Sequence, residues 1–211
     1  MKTDLPISTI SRLCMVYQLC GELEQQGAAR VSSSEIGCQL DVAAHTIRKD
    51  FNHLGEMGMN GAGYEVAHLQ QRLSDTLGLD RIHRACIVGL GRLGSAILAY
   101  AALGTGGFAM VAGFDASINR LETLATDVPV YPAYDIEDVV RREAIEMAII
   151  AVPREAAQSV ADALVSGGVR GMVNFAPVVI KPTSSDVVVR NINVVNEMRM
   201  LASMLTRQAL D

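Results

Sequence analysis

The chain has no tryptophan, and aromatics make up only 4% of its 211 residues. Its hydrophobic half consists mostly of Ala, Val, Ile and Leu. A chain of this length has room for one large domain or two small ones, and these aliphatics can fill two compact cores without rings. Long apolar runs are missing too. None approaches the ~20 residues of a membrane span, and Met1-Lys2-Thr3-Asp4 begins no signal-peptide h-region. A soluble, cytoplasmic protein with no membrane partner is expected. The four cysteines (Cys14, Cys20, Cys38, Cys86) contain no C-x-x-C pair. Three fall at apolar-periodic or strand positions and are expected to be buried, reduced thiols. The four histidines (His45, His53, His68, His83) lack ligand spacing, so no metal site is expected.

Positive charge is also scarce. The net charge is −5, and residues 1–79 carry six Lys/Arg against nine Asp/Glu. DNA-binding modules are ordinarily basic, so any nucleic-acid contact must depend on local clustering. No histidine follows His83. A dehydrogenase needs a group that moves a substrate proton, commonly His, Lys, Tyr or an acid. Behind the last strand there is room only for a single helix, not a substrate domain.

What is present begins with Ile10, Leu13, Cys14, Val16, Tyr17, Cys20 and Leu23, one face of a helix that closes near Gln26-Gly27. Ser32 and Glu35 have capping-box spacing. Ile36, Leu40, Ala44, Ile47, Phe51 and Leu54 then step by three or four, with a break at Asp41-Val42. This pattern predicts helices over 34–40 and 43–54 in helix-turn-helix layout. Gly55, Gly58, Gly61 and Gly63 precede Tyr64-Glu65-Val66 and suit a tight hairpin, completing the order of a winged helix. Leu69, Leu73 and Leu77 mark a further helix, and Gly78-Leu79-Asp80 is the expected linker.

From residue 85 the texture becomes that of alternating strands (85–89, 108–114, 147–152, 171–175, 187–191) and helices (93–103, 136–143, 154–166). Such alternation predicts an α/β fold, a doubly wound parallel sheet covered on both faces. A helix over 194–208 closes the chain. Ala85-Cys86-Ile87-Val88 runs into Gly89-Leu90-Gly91-Arg92-Leu93-Gly94, the G-x-G-x-x-G pattern. Gly89 permits a tight turn, Gly91 lets the backbone approach a pyrophosphate, and Gly94 allows close helix–strand packing. The following helix N-terminus supplies amides for phosphate. Asp115, 21 residues beyond Gly94, ends the second strand. There it can accept from ribose hydroxyls and repel a 2′-phosphate, favouring NAD over NADP. The same fold could instead hold another nucleotide, coenzyme A or nothing. Val152-Pro153 and Asn174-Phe175-Ala176 leave later strands at the carboxyl edge, the usual ligand crevice. In the N-terminal module, Arg48 and Lys49 lie midway along the proposed recognition helix, near His45, Thr46 and Asn52. Arginine can read a guanine edge and lysine a phosphate.

Six segments together resemble the Rex family of redox-sensing transcriptional repressors over nearly the whole chain. They are Ile10-Ser11-Arg12-Leu13, Ile47-Arg48-Lys49-Asp50, Gly61-Ala62-Gly63-Tyr64, and residues 86–95, 151–158 and 174–178. The resemblance implies a winged-helix domain over 1–79, a Rossmann NAD(H)-binding domain over 80–191, and a C-terminal helix (192–211) swapped between the subunits of a homodimer. It implies a repressor, not an enzyme, that holds palindromic operator DNA when free or NAD⁺-bound and releases it on binding NADH. The cofactor positions would be Gly89, Leu90, Gly91, Arg92, Leu93, Gly94, Tyr100, Asp115, Val152, Pro153, Asn174, Phe175 and Ala176. DNA contacts would fall on Ser33, His45, Thr46, Arg48, Lys49, Asn52 and Asn60, and the switch on Gln18, Tyr100 and Asn193. This chain departs from the family where an aspartate is replaced by Asn193, its partner arginine by Gln18, a Tyr-Phe pair by His53-Leu54, and the basic wing residue by Asn60. Two alternatives stay open: a small NAD-dependent oxidoreductase, and a sensor of the same architecture for another ligand.

Overall fold

A computed structural model describes residues 5–55, 63–100 and 106–208. The chain divides into two compact units, residues 1–81 and 82–211. In the first, α1 (Ile7–Gln25) buries Leu13, Val16, Leu19 and Cys20 on one stripe. Gly27 adopts φ 75° and Ala28 N–H reaches the Leu23 carbonyl at 2.9 Å, closing the helix end. After β1 (Arg30–Val31), helix α2 (Ser33–Leu40) opens on a reciprocal capping box. Ser32 N–H donates to Glu35 Oε2 at 2.6 Å, and Glu35 N–H to Ser32 Oγ at 3.1 Å. Asp41 turns the chain in the left-handed region, and a Cβ on Gly37 would lie 2.3 Å from the Val42 carbonyl oxygen. Only glycine permits so tight a turn into α3 (Ala44–Phe51), which ends as a 3₁₀ turn over Asn52–Leu54. The expected single helix to Leu54 is thus divided. Strand β2 (Tyr64–Glu65) pairs antiparallel with β1, and α4 (Val66–Leu77) packs on α1. Residues 56–62, the rest of the expected hairpin, and with them Asn60, lie outside the described residues.

Cys20 and Cys86 are buried, and burial pushes both thiols up to about 12. Cys14 is exposed, contrary to expectation. The buried stripe runs through Leu13, Val16 and Cys20, and Cys14 sits one residue off it.

The second unit is a parallel six-stranded sheet. Its elements are β3 (His83–Val88), α5 (Arg92–Leu98), β4 (Phe108–Asp115), α6 (Ile118–Thr123), β5 (Val130–Pro132), α7 (Ile136–Arg142), β6 (Met147–Ile150), α8 (Arg154–Gly167), β7 (Gly171–Asn174), β8 (Val188–Asn191) and α9 (Val194–Gln208). The strand order β5-β4-β3-β6-β7-β8 reverses direction at β3, the crevice-forming switch point of doubly wound sheets. Its core joins Cys86, Val88, Ala112, Phe114 and Ile150 to Val140, Ala161 and Leu164 on the covering helices. Strand β5 and helix α6 are absent from the sequence reading. Val130-Tyr131-Pro132 is too short and too proline-rich to announce a strand, and proline is tolerated there because β5 is an edge. Among the described residues, no helix is long and apolar enough to cross a membrane.

Candidate functional site

The loop from β3 into α5 is shaped by its glycines. At Gly89, φ is 94° and a Cβ would lie 2.4 Å from the Ala151 carbonyl oxygen at the end of β6. A Cβ on Gly94 would sit 1.8 Å from the Gly89 carbonyl oxygen, so α5 can leave the strand this closely only without a side chain. Gly91 differs: a Cβ there meets nothing within 4 Å. The loop is therefore packed at Gly89 and Gly94 and open at Gly91, next to the start of α5, whose first-turn amides lack partners within the helix. An open backbone edge, a helix amide end and an acid at the end of the next strand together suit a dinucleotide.

The acid is already engaged. Asp115 Oδ2 accepts from the Leu90 amide at 2.7 Å, and Oδ1 from the Ser117 amide at 2.8 Å. Arg120 Nη1 donates to both oxygens, at 2.9 and 2.8 Å. Burial pushes this carboxyl up, but the Ser117 amide, the Arg120 guanidinium and the Leu90 amide outweigh it and hold it below the ordinary carboxylate range.

A cavity of about 970 Å³ opens over this edge of the sheet, lined by Gly89, Gly91, Leu93, Asp115, Val152, Pro153 and Phe175 among the anticipated residues. Leu90 and Gly94 are buried beneath the loop, Arg92 is exposed at the start of α5, and Tyr100 is exposed beyond that helix. Asn174 is wholly buried and turned away: its Nδ2 donates to the Val178 carbonyl at 2.7 Å and to Asn191 Oδ1 at 2.8 Å, and its Oδ1 accepts from the Ala176 amide at 2.9 Å. It braces the loop that carries Phe175. Ala176 and Asn193 border a separate cavity of about 430 Å³. Ser117, Arg120 and Tyr134 are among the lining residues that were not anticipated from the sequence. Arg120 had a signal, a cation five positions past a strand-ending acid, but no motif singles it out.

In the first unit, His45, Arg48, Lys49 and Asn52 form an exposed i, i+3, i+4, i+7 stripe along α3 and its 3₁₀ extension. Arg48 Nη1 donates to Ser33 Oγ at 3.0 Å, bringing the starts of both anticipated contacts together. Thr46 and Ser33 are half-buried. The helix's one acid, Asp50, is buried on the opposite side. It accepts from Arg12 Nε at 2.6 Å and Arg12 Nη2 at 2.9 Å, and from Thr9 Oγ1 at 3.0 Å. Burial raises the Asp50 carboxyl, but Arg12 and Thr9 more than reverse this and lower it. The local excess of acid therefore leaves the stripe itself cationic. Gln18 Nε2 donates to Glu22 Oε1 at 3.1 Å within α1, while Asn193 Oδ1 accepts from the Asn196 amide at 3.0 Å, the N-cap bond of α9.

A dinucleotide-type crevice and a helix-turn-helix with a basic stripe, held in one chain, define a ligand-responsive regulator of transcription. Residues 80–178 match the family model described as "CoA binding domain", and residues 4–52 the one described as "Putative DNA-binding protein N-terminus". The chain is 37% identical to the redox-sensing transcriptional repressor Rex of Exiguobacterium sibiricum, over 83% of this chain and 80% of that one. It is similar to RSP, a Rex-family repressor, solved with β-NAD⁺ and operator DNA (31% identity, TM-score 0.89, covering 99% of this chain and 95% of that one). It is likewise similar to RSP solved with β-NADH (30% identity, TM-score 0.84, covering 99% and 97%). The chain belongs to the Rex family of redox-sensing transcriptional repressors. That membership sets aside the oxidoreductase alternative, since these relatives are named as regulators and not as enzymes.

Proposed function

We propose that this protein represses transcription from palindromic operator DNA, that NAD(H) occupies the crevice beside Gly91 and Asp115, and that NADH releases the DNA. The observation that carries the reading is the pairing, in one chain, of the open loop edge at Gly91 with the acid-free stripe at His45, Arg48, Lys49 and Asn52. Residues 1–79 serve as the DNA-binding domain, 80–191 as the nucleotide domain, and the protein acts in the cytoplasm. The relative solved with operator DNA and NAD⁺, and again with NADH, supports both partners.

Helix α9 supports a dimer. Val195, Met198, Leu201 and Leu205 are each between 49% and 61% exposed along it. A helix with this apolar face needs a cover, and exchange of residues 192–211 between two copies lays it against the nucleotide domain of the second copy. Gln18, Tyr100 and Asn193 act in the switch. Restoring charge with Gln18→Arg and Asn193→Asp is expected to move the NADH concentration for half-release, and an unchanged value would remove that pair from the switch.

The deciding experiment titrates NAD⁺ and NADH while binding to a palindromic operator library is measured. NADH is expected to lower affinity for a preferred sequence and NAD⁺ to preserve it. If neither nucleotide changes DNA affinity, the redox reading fails; if no sequence is preferred, the repressor reading fails with it. A ligand shifts such an equilibrium only through its different affinities for the two states, so NADH must bind the released form more tightly.

A further inference from the structure

We infer that Asn191 is a positioning residue: bonded to Asn174, it ties the crevice wall at Phe175 to the start of α9. This assignment rests on the reading that NADH in the crevice releases DNA. Phe175 lines the large cavity, and the residue before it, Asn174, ends β7 fully buried. Parallel pairing sets Asn174 beside Asn191, the last residue of β8. The side chains add a second tie. Asn174 Nδ2 donates to Asn191 Oδ1 at 2.8 Å, and the Ile180 amide donates to the same oxygen at 3.3 Å. Two positions further on, Asn193 caps α9 through the Asn196 amide. One acceptor oxygen thus gathers the end of β7, the loop behind Phe175 and the approach to α9.

A buried primary amide needs partners for both of its N–H groups. Asn174 finds them in the Val178 carbonyl, at 2.7 Å, and in Asn191 Oδ1. A ligand that shifts Phe175 and turns Asn174 must either strand a buried donor or draw Asn191 along. Stranding a buried donor is the costlier course, so the approach to α9 follows the crevice wall. Coupling between two sites is a free energy carried by contacts that differ between the two states, and this bond joins the two elements concerned. It uses the oxygen of Asn191, which aspartate would also offer and leucine or alanine would not. Asn191 is itself exposed, so replacing it empties no core.

The test measures affinity of the full chain for its preferred operator, with and without saturating NADH. Wild type is compared with Asn191→Leu, Asn191→Ala and Asn191→Asp. Wild type is expected to lose about tenfold or more in operator affinity on adding NADH. In the leucine and alanine variants that factor should shrink to about threefold or less. Their NADH affinity, and their operator affinity without nucleotide, should each stay within about twofold of wild type. Asn191→Asp should keep the wild-type factor. A merely structural role would instead lower the melting temperature and both separate affinities. The inference is overturned if the leucine and alanine variants keep the full factor, lose NADH binding itself, or both fail to fold. It is equally overturned if the aspartate variant loses the factor as they do. A wild type whose operator affinity ignores NADH overturns the functional proposal as well.

Discussion

Replacing Asp50 with alanine is expected to loosen α3 from α1 and so blur the surface that would meet DNA. Asp50 is 3% exposed and receives three hydrogen bonds, two from Arg12 and one from Thr9. Removing one member of a fully buried ion pair costs about 3–5 kcal/mol, largely by stranding the other charge. The Arg12 side chain is 23% exposed, so its stranded charge regains some water and about 2–3 kcal/mol is the better expectation. Amide hydrogen exchange along α3 reads this directly, and about 2–3 kcal/mol corresponds to a fall in protection of roughly 30- to 150-fold. A double variant, Arg12→Met with Asp50→Leu, should recover much of the loss, because apolar replacement of a whole buried pair is often near neutral. The reasoning is refuted if Asp50→Ala changes α3 protection by less than about threefold, or if the double variant is no better than the worse single one. Operator affinity of Asp50→Ala should fall for all sequences alike, since the helix's placement suffers and no base-reading group is removed.

The glycine loop offers a matched pair of tests. Gly94→Ala drives a Cβ into the Gly89 carbonyl and should lower the melting temperature of the second unit, with a cost of about 1–3 kcal/mol or more. Gly91→Ala meets no atom, so its melting temperature should hold while NADH affinity, followed by ligand fluorescence, drops about tenfold or more. Acid should destabilise both units. Asp50 and Asp115 have lowered values when folded, so their contribution is complete above the unfolded aspartate value of about 3.9 and is lost as pH falls through and below it; urea denaturation midpoints from pH 6 to pH 3 measure this. Lys49→Ala should weaken binding to every sequence and reduce the salt slope by about one, whereas Arg48→Ala should cost about 1–3 kcal/mol and relax preference at one base position. Truncation after residue 191 should give a monomer in sedimentation equilibrium.

The features legible in the sequence were those written in local chemistry. The Ser32–Glu35 box, the break at Asp41-Val42, the glycine loop and the bounds of α9 all follow from neighbours within a few residues. Five of the six sheet strands, all but β5, were visible as aliphatic runs, because strands covered on both faces need no alternation. Hidden features depended on distant partners. In the sequence Asp50 is only one of the nine acids of residues 1–79, and its pairing with Arg12, 38 positions earlier, is what removes it from the exposed stripe of α3. Asn174 sits on the right loop, yet contacts with Val178 and Asn191 consume its amide. Asp115 was recognisable from its distance to Gly94, while its capture by Arg120 depends on how α6 folds back over the strand end.

The 2.7 Å bond from the Leu90 amide to Asp115 spans 25 positions of sequence. It makes the first corner of the glycine loop and the tip of β4 a single hinged piece. Whatever draws the carboxylate outward also releases an amide at the loop's edge, and whatever lifts the loop unclamps the acid. Contact at either end of an elongated ligand is thereby felt at the other through one bond, so fragments that reach only one end work against the clamp without gaining the second contact.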